Sequence, residues 1–380
     1  MILAGARIVA GGRILAPGWV RVDGPCIAEF GEGPPPGPVD QDLANRWLVP
    51  GFVDMHAHGA VGHSFDEADA AAVAAITGHH LAHGTTTMVA SLVSAPIDVL
   101  EHRLRSLAPH VTSGALAGVH LEGPFLSAGH RGAHDPRHLQ PPRPAALDRL
   151  LSAAPAALRM ITLAPELPGG LDAVERVTGA GVVAAVGHTS ADYETTRAAV
   201  DRGASVATHL YNGMPPILGR APGPVIALAD DERVVVELIA DGFHLHEATL
   251  RRTAAAAVGR FSLVTDAMAA TGCGDGDYLL GEQRVRVTDG RARLVDGDSL
   301  AGSTLTLDHA LRTAVRAGVS FRAALAAVTE TPARALGLAE HSGTIASGRA
   351  ADLVVLDGEH TVRGVMHRGE WVQNDRAALG

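Results

Sequence analysis

The sequence predicts an α/β fold, a (β/α)8 TIM-type barrel with a small β-sandwich domain built from both chain termini. Three observations predict it. Short β-branched runs alternate with Ala-rich helical stretches from about residue 50 onward, ligand-type side chains recur where those runs end, and the two ends of the chain read as strands broken by Gly and Pro.

Taken in order, the first 49 residues contain strand patterns over 2–9, 13–15, 19–22 and 26–30, then a Pro-rich connector at 34–38. Eight β-branched runs follow, over 52–55, 85–90, 116–120, 158–163, 182–186, 206–209, 234–239 and 261–265. Helical patterns separate them, for instance over 69–83, 144–153, 193–203 and 247–259. Such alternation favours a closed parallel barrel, whose catalytic groups stand at the C-terminal ends of its strands. A doubly wound open sheet is the structural alternative. A Gly-rich strand pair over 278–295 interrupts the pattern after the eighth run. The last forty residues return to strands and turns, with a turn-rich stretch at 343–352, an apolar run at 353–356 and strand patterns within 362–372. Strands from the two ends can pair only if the termini meet. Residues 1–49 and 341–380 are therefore expected to form one small β domain, with the barrel, 50–340, inserted between them.

Composition narrows the function. A formal net charge of −10, with no run of basic residues, argues against a nucleic-acid surface and towards small-molecule chemistry. The N-terminus lacks a basic stretch leading into a sustained apolar region, and no later segment reaches about 18 uninterrupted apolar residues, so a cytoplasmic protein without membrane contact is expected. Cys26 and Cys273 are too few and too far apart for a disulfide framework or a thiolate metal site. All 31 basic residues are Arg. The absence of Lys excludes phosphate-loop nucleotide hydrolysis, pyridoxal Schiff-base chemistry and metal centres bridged by a carbamylated lysine, whatever compositional bias produced it.

The chemistry-bearing residues begin at Pro50-Gly-Phe-Val-Asp-Met-His56-Ala-His58. A strand's side-chain period of two sets both histidines on one face, towards a shared metal ion. With 20 His in the chain about one His-x-His arises by chance, and a second copy sits at His244 and His246, so the spacing alone is weak. Its context is stronger: the pair stands where a buried strand would open into the Gly-rich loop at 59–62. Four further strand ends carry ligand types: His120-Leu-Glu122, Gly187-His188-Thr189, Thr208-His209-Leu-Tyr-Asn212 and Thr265-Asp266. Singly, each is as consistent with a hydrogen-bonded core residue. Imidazoles and carboxylates converging at one barrel mouth are what a catalytic divalent ion requires.

On these segments, together with Ala240-Asp-Gly-Phe-His244, Leu300-Ala-Gly-Ser303 and the continuation of the third strand end through Gly-Pro-Phe125, the chain resembles the amidohydrolase superfamily nearly end to end. Within it the resemblance is to the N-acetylglucosamine-6-phosphate deacetylase family. Most of the superfamily bridges two metals with a carbamylated lysine, whereas this branch uses a glutamate on the third strand, and a chain without Lys fits that division. The resemblance implies that Glu122, His188 and His209 hold the main ion, with water or hydroxide in the remaining position. It implies Asp266 as general base and acid. It also implies that His134, next to Ala133, contacts the substrate and polarises the acetyl carbonyl.

For the substrate phosphate the resemblance points to Arg220 and His244, beside Asn212 and the backbone N–H of Gly213. Leu300, Ala301 and Gly302 match a loop that closes on the sugar. Part of the phosphate site comes from a neighbouring subunit in the family, so a homodimer is implied. Some members have Gln-x-Asn in place of His56-x-His58 and use one metal. The His pair implies a second site of His56, His58 and Glu122, with Asp266 as a further candidate.

The expected reaction is hydrolysis of N-acetyl-D-glucosamine 6-phosphate to D-glucosamine 6-phosphate and acetate, in amino-sugar catabolism or cell-wall recycling. One or two divalent ions are expected, Zn2+ first, with iron, cobalt or manganese also compatible with imidazole and carboxylate. The epimeric N-acetylgalactosamine-6-phosphate is the competing substrate. A metal-binding phosphosugar sensor is the non-enzymatic alternative, and intact ligands together with Asp266 count against it. A nucleobase deaminase or cyclic-amide hydrolase would leave the Arg220 and His244 motifs unexplained.

Overall fold

The computed structural model describes residues 1–372, so residues 373–380 of the expected small β domain lie outside the described residues. Eight parallel strands form the central sheet: Phe52–Ala57, Thr85–Leu92, Gly118–Glu122, Leu158–Leu163, Val183–Val186, Val206–Ala207, Val235–Ile239 and Phe261–Val264, paired in sequence order. Each is followed by a helix: Ala70–Ala82, Ile97–Thr112, Pro144–Ala153, Gly170–Gly179, Tyr193–Asp201, Gly223–Ala229, Glu247–Ala256 and Leu307–Arg316. The first and eighth strands close the ring at a seam. There Asp266 N–H donates to the His56 carbonyl at 2.9 Å and the Thr265 hydroxyl donates to Asp54 Oδ2 at 2.6 Å. The barrel expected from the alternation is the one observed.

Local chemistry explains these elements. A parallel strand in a barrel is covered on both faces, so it reads as an unbroken apolar run, and the strands from Phe52 onward are buried along nearly their whole length. Some helices start where a side chain receives an orphan N–H: Asp69 accepts from Ala72 N and Asp192 from Thr195 N, each at 2.8 Å. Helix Ile97–Thr112 buries Ile97, Leu100, Leu104 and Leu107 at the three- and four-residue spacing of one face. The sixth strand stops two residues short of the expected 206–209, because His209 turns out of the extended region at φ 27°.

The chain ends meet as expected. Leu353–Leu356 pairs antiparallel with Trp47–Pro50, and the sheet runs through Glu370–Trp371, Val362–His367, Leu353–Leu356, Trp47–Pro50, Ile2–Ala10, Arg13–Asp23 and Cys26–Glu32. It bends around a core that includes Leu3, Ile8, Val20, Ile27, Leu48, Val355 and Met366. Its far strand returns to the other end of the chain through Ile27 N–H to Arg349 O and Ala351 N–H to Pro25 O, each 2.8 Å. The two layers of the sandwich are thus one sheet folded on itself. Only Gly51 separates this sheet from the first barrel strand, and a side chain there would collide with Thr86.

Where the sequence suggested a strand pair over 278–295, three strands stand: Gly276–Leu280, Gln283–Thr288 and Arg291–Leu294. Asp289 and Gly290 take φ values of 51° and 73°, the paired positive values that a two-residue hairpin turn needs, and so add the third strand. Val285, Val287 and Ala292 on its inner face pack with Met268 and Ala301. Among the described residues no helix is long and apolar enough to cross a membrane.

Phe52 is fully buried at the start of the barrel, packed beside Gly84. Phe52→Ala should lower unfolding free energy by about 3–5 kcal/mol through lost burial and an unfilled cavity, measured by urea unfolding of both proteins.

Candidate metal centre and substrate cavity

The strand ends named in the sequence converge on Glu122. Its Oε1 lies 3.0 Å from His188 Nε2 and 3.0 Å from His209 Nε2, and those two nitrogens are 3.0 Å apart. Its other oxygen, Oε2, is 3.2 Å from His58 Nε2 and 3.7 Å from His56 Nε2. Asp266 Oδ1 completes this second set at 3.3 Å from His58 and 3.5 Å from His56, whose Nε2 atoms are 3.2 Å apart. One carboxylate therefore faces two ligand sets, one oxygen to each.

The donor chemistry fits divalent ions. Ligand atoms on a tetrahedral ion with bonds of about 2.0–2.1 Å stand roughly 3.4 Å apart, close to the spacings of both sets. His188 Nδ1 lies 2.9 Å from the His130 carbonyl, which can only accept, so Nδ1 holds the proton and Nε2 presents its lone pair to Glu122 and His209. His134 is wired the opposite way. Its Nδ1 accepts from Ser94 N–H at 3.3 Å, so the ring carries its proton on Nε2, 3.3 Å from Glu122 Oε2. Burial holds His134 down to about 4, so the ring is neutral.

Electrostatics at this mouth are set by burial against mutual charge. Burial pushes Glu122 up, but His56 and His134 with the other imidazoles outweigh it and hold it well below the usual carboxylate range. Asp266 is brought to about 2 in the same way, by His56 and His58 against its burial. Burial alone would keep His58 neutral, yet hydrogen bonds to Asp266 and Glu122 raise it to about 9.

His188, His209 and Asp266 adopt φ values of 46°, 27° and 48°, a left-handed region that non-glycine residues rarely occupy. Three such residues at one site mark stored backbone strain of the kind found where geometry serves a function. Glycines make room for it: a Cβ on Gly213 would lie 2.7 Å from His188 Nδ1.

A cavity of about 210 Å3 opens above the carboxylates, bordered by His58, His134, Asp266 and His244. His244 donates from Nδ1 to Asp241 Oδ2 at 2.7 Å. Burial opposes its charging, but that carboxylate outweighs burial and raises the imidazole above its ordinary value. Ala133, Asn212, Gly213, Leu300 and Gly302 also line the cavity. Asn212 directs its Nδ2 at the carbonyls of His209 and Leu210, at 3.3 and 3.4 Å.

Two residues of the expected substrate site stand elsewhere. Ala301 is buried in the core beneath the three-stranded sheet, where its N–H donates to the Ala292 carbonyl at 3.2 Å. Arg220 is exposed on the turn closed by Leu218 and Ala221 and does not line the cavity of the single chain. Two other histidines are structural. His246, the far half of the second His-x-His, caps helix Glu247–Ala256 by accepting from Ala248 N at 3.1 Å. His120, deep in the barrel, is satisfied by Ser91 Oγ at 3.0 Å and Thr162 Oγ1 at 2.8 Å.

Two buried acids were not singled out from the sequence. Asp54 shares the inward parity of His56 and His58 and ties Thr265 across the seam; burial raises it to about 7. Period-two reading of the first strand could have found it. Glu237 lies 3.0 Å from His56 Nδ1, and its signal was a single acid inside the apolar run over 234–239.

Comparison with known proteins agrees with this geometry. Residues 47–372 match the amidohydrolase family. The N-acetylglucosamine-6-phosphate deacetylase of Bos taurus is 35% identical over 380 residues, covering 96% of this chain and 90% of that protein. The N-acetylgalactosamine-6-phosphate deacetylase of Escherichia coli O157:H7 is 34% identical over 337 residues, covering 87% and 88%. Among solved structures, a mutant N-acetyl-D-glucosamine-6-phosphate deacetylase from Mycobacterium smegmatis, in complex with N-acetyl-D-glucosamine-6-phosphate, aligns with TM-score 0.95 at 44% identity over 98% of each chain.

The raised His58 gives a pH test. In chelator-stripped protein its folded value of about 9 lies above the unfolded value near 6.5, so its stabilising contribution is complete below about 6.5 and lost as pH rises through about 9. The urea midpoint of stripped protein should fall between pH 6 and 9.5, and more shallowly in His58→Asn. Affinity for Zn2+, which needs the deprotonated ring, should rise over the same interval.

Proposed function

The chain belongs to the amidohydrolase family and, within it, to the N-acetylglucosamine-6-phosphate deacetylases, and we propose that it hydrolyses N-acetyl-D-glucosamine 6-phosphate to D-glucosamine 6-phosphate and acetate. The observation that carries this reading is the pairing, in one cavity, of an ionised carboxylate, Asp266, and a neutral N–H donor, His134, on either side of Glu122. Glu122, His188 and His209 would hold the main ion, and His56, His58, Glu122 and Asp266 a second. A divalent ion there supplies Lewis-acid polarisation and brings the pKa of a coordinated water towards about 7.

The residues of the chain do the rest. Asp266, ionised at neutral pH, accepts a proton from the attacking water as its oxygen bonds to the acetyl carbon. His134 donates from Nε2 to the carbonyl oxygen as negative charge develops there. The C–N bond then breaks while Asp266 returns its proton to the departing nitrogen, releasing the free amine and acetate. His244, held by Asp241, meets the phosphate as a charged donor.

Arg220 is the other proposed phosphate ligand. Its exposure beside Ile217 and Leu218, outside the cavity, fits a reach into the site of a second copy, as expected of a homodimer. The sequence likeness to an N-acetylgalactosamine-6-phosphate deacetylase keeps the epimer as the second substrate to assay.

Purified Zn2+-loaded protein should release acetate from N-acetylglucosamine-6-phosphate, with the epimer and unphosphorylated N-acetylglucosamine assayed in parallel. Faster turnover of the epimer would reassign the substrate, and no turnover of either phosphosugar at full metal occupancy would sink the reading. Asp266→Asn should lower kcat by about 10²–10⁴ with the ion of Glu122, His188 and His209 retained. His244→Ala should raise KM for the phosphorylated sugar by about 10–100-fold, the worth of a hydrogen bond to a charged group, and leave kcat nearly unchanged.

A further inference from the structure

Glu237 has no place in the reaction, yet it is fully buried, and it interrupts a strand otherwise made of Val235, Val236, Leu238 and Ile239. An apolar residue would continue that pattern, and a carboxylate withdrawn from water costs several kcal/mol unless its partners compensate. Its Oε2 has two partners: His56 Nδ1 at 3.0 Å and the backbone N–H of His209 at 3.1 Å. Oε1 has no hydrogen-bond partner among the described residues, so the acid's whole interaction runs through those two contacts.

Each contact has a definite chemical consequence. A carboxylate only accepts, so the proton between it and His56 sits on Nδ1, and the His56 Nε2 lone pair is turned to His58, Glu122 and Asp266. The backbone contact holds His209 where its φ of 27° swings the side chain out of the sixth strand and onto Glu122 Oε1. His56 belongs to one ligand set and His209 to the other.

We propose that Glu237 is a positioning residue that joins the two ligand sets, orienting His56 for the second ion through its ring and His209 for the first through its backbone. The inference rests on the two-ion reading above.

Its test is Zn2+ stoichiometry by elemental analysis and stepwise dissociation constants by chelator competition, on wild type, Glu237→Gln, His56→Ala and the double variant. Wild type should bind two ions per chain. Glu237→Gln, which takes away the charge and one of the two acceptor oxygens, should weaken the second about 10–100-fold, the usual effect of altering the carboxylate behind a ligating histidine, and the first less. In the His56→Ala background the same change should have little further effect on the weaker ion, whereas a merely structural role would give the same loss in both backgrounds. Should Glu237→Gln not fold by circular dichroism, Glu237→Leu, which continues the apolar run, replaces it with the same expectation.

Two ions at wild-type affinity in the variant that folds, or equal losses in both backgrounds, would overturn the inference while leaving the two-ion reading intact. A single ion in wild type would remove the two-ion reading and this inference with it.

Discussion

Everything at the mouth of this barrel is organised by the need to neutralise carboxylates that water cannot reach. Glu122, Glu237 and Asp266 are all buried and share His56 as a neighbour, and like charges so placed repel in a poorly polarisable interior. The fold meets this by surrounding them with imidazoles. His56 contacts all three acids, His58 two, and His188 and His209 share one oxygen of Glu122. Because imidazole can carry a proton or present a lone pair, the same ring of residues is compensated by protons or by metal ions. That interchange makes the site sensitive both to pH and to chelation.

The barrel supplies the convergence and the seam supplies its precision. Seven strand pairs are ordinary parallel ladders, but the first and eighth strands are joined chiefly through Asp54, Thr265 and the N–H of Asp266. The residues that close the barrel therefore neighbour the chemistry in sequence: Asp54 precedes His56 by two positions and Thr265 precedes Asp266. Asp54 accepts from the Thr265 hydroxyl and from the N–H groups of His56 and Thr265, so one carboxyl group ties both sides of the seam. Beyond the mouth, the three-stranded sheet over 276–294 brings Leu280 to the cavity rim, opposite the loop that carries His134.

Much of this was legible beforehand, for identifiable reasons. Barrel strands are covered on both faces and announce themselves as apolar runs, so the expected strands differ from the observed ones by at most three residues at either end. The sixth ends early, before His209, where long-range contacts to Glu237 and Glu122 override local preference. The ligand-type residues were visible because charge at the end of an apolar run is conspicuous. Glu237 and Asp54 were overlooked because a lone acid inside a strand looks like a pattern error until its partner, 181 or 211 residues away, is known. Ala301 lies in the core rather than on the cavity wall, since a motif of consecutive residues does not say which of them faces the cavity.

The sequence by itself determined the barrel, the meeting of the chain ends and the kinds of side chain available for chemistry, since periodicity and composition are local properties that burial translates directly. Only the tertiary structure decided the division of Glu122 between two ligand sets, the opposite proton positions on His188 and His134, and the exclusion of Arg220 from the cavity of its own chain. Those depend on contacts of 2.9 to 3.3 Å with hydrogen-bond partners contributed by residues far apart in sequence. Such partners are fixed by closing the sheet into a ring and are not encoded in any one segment.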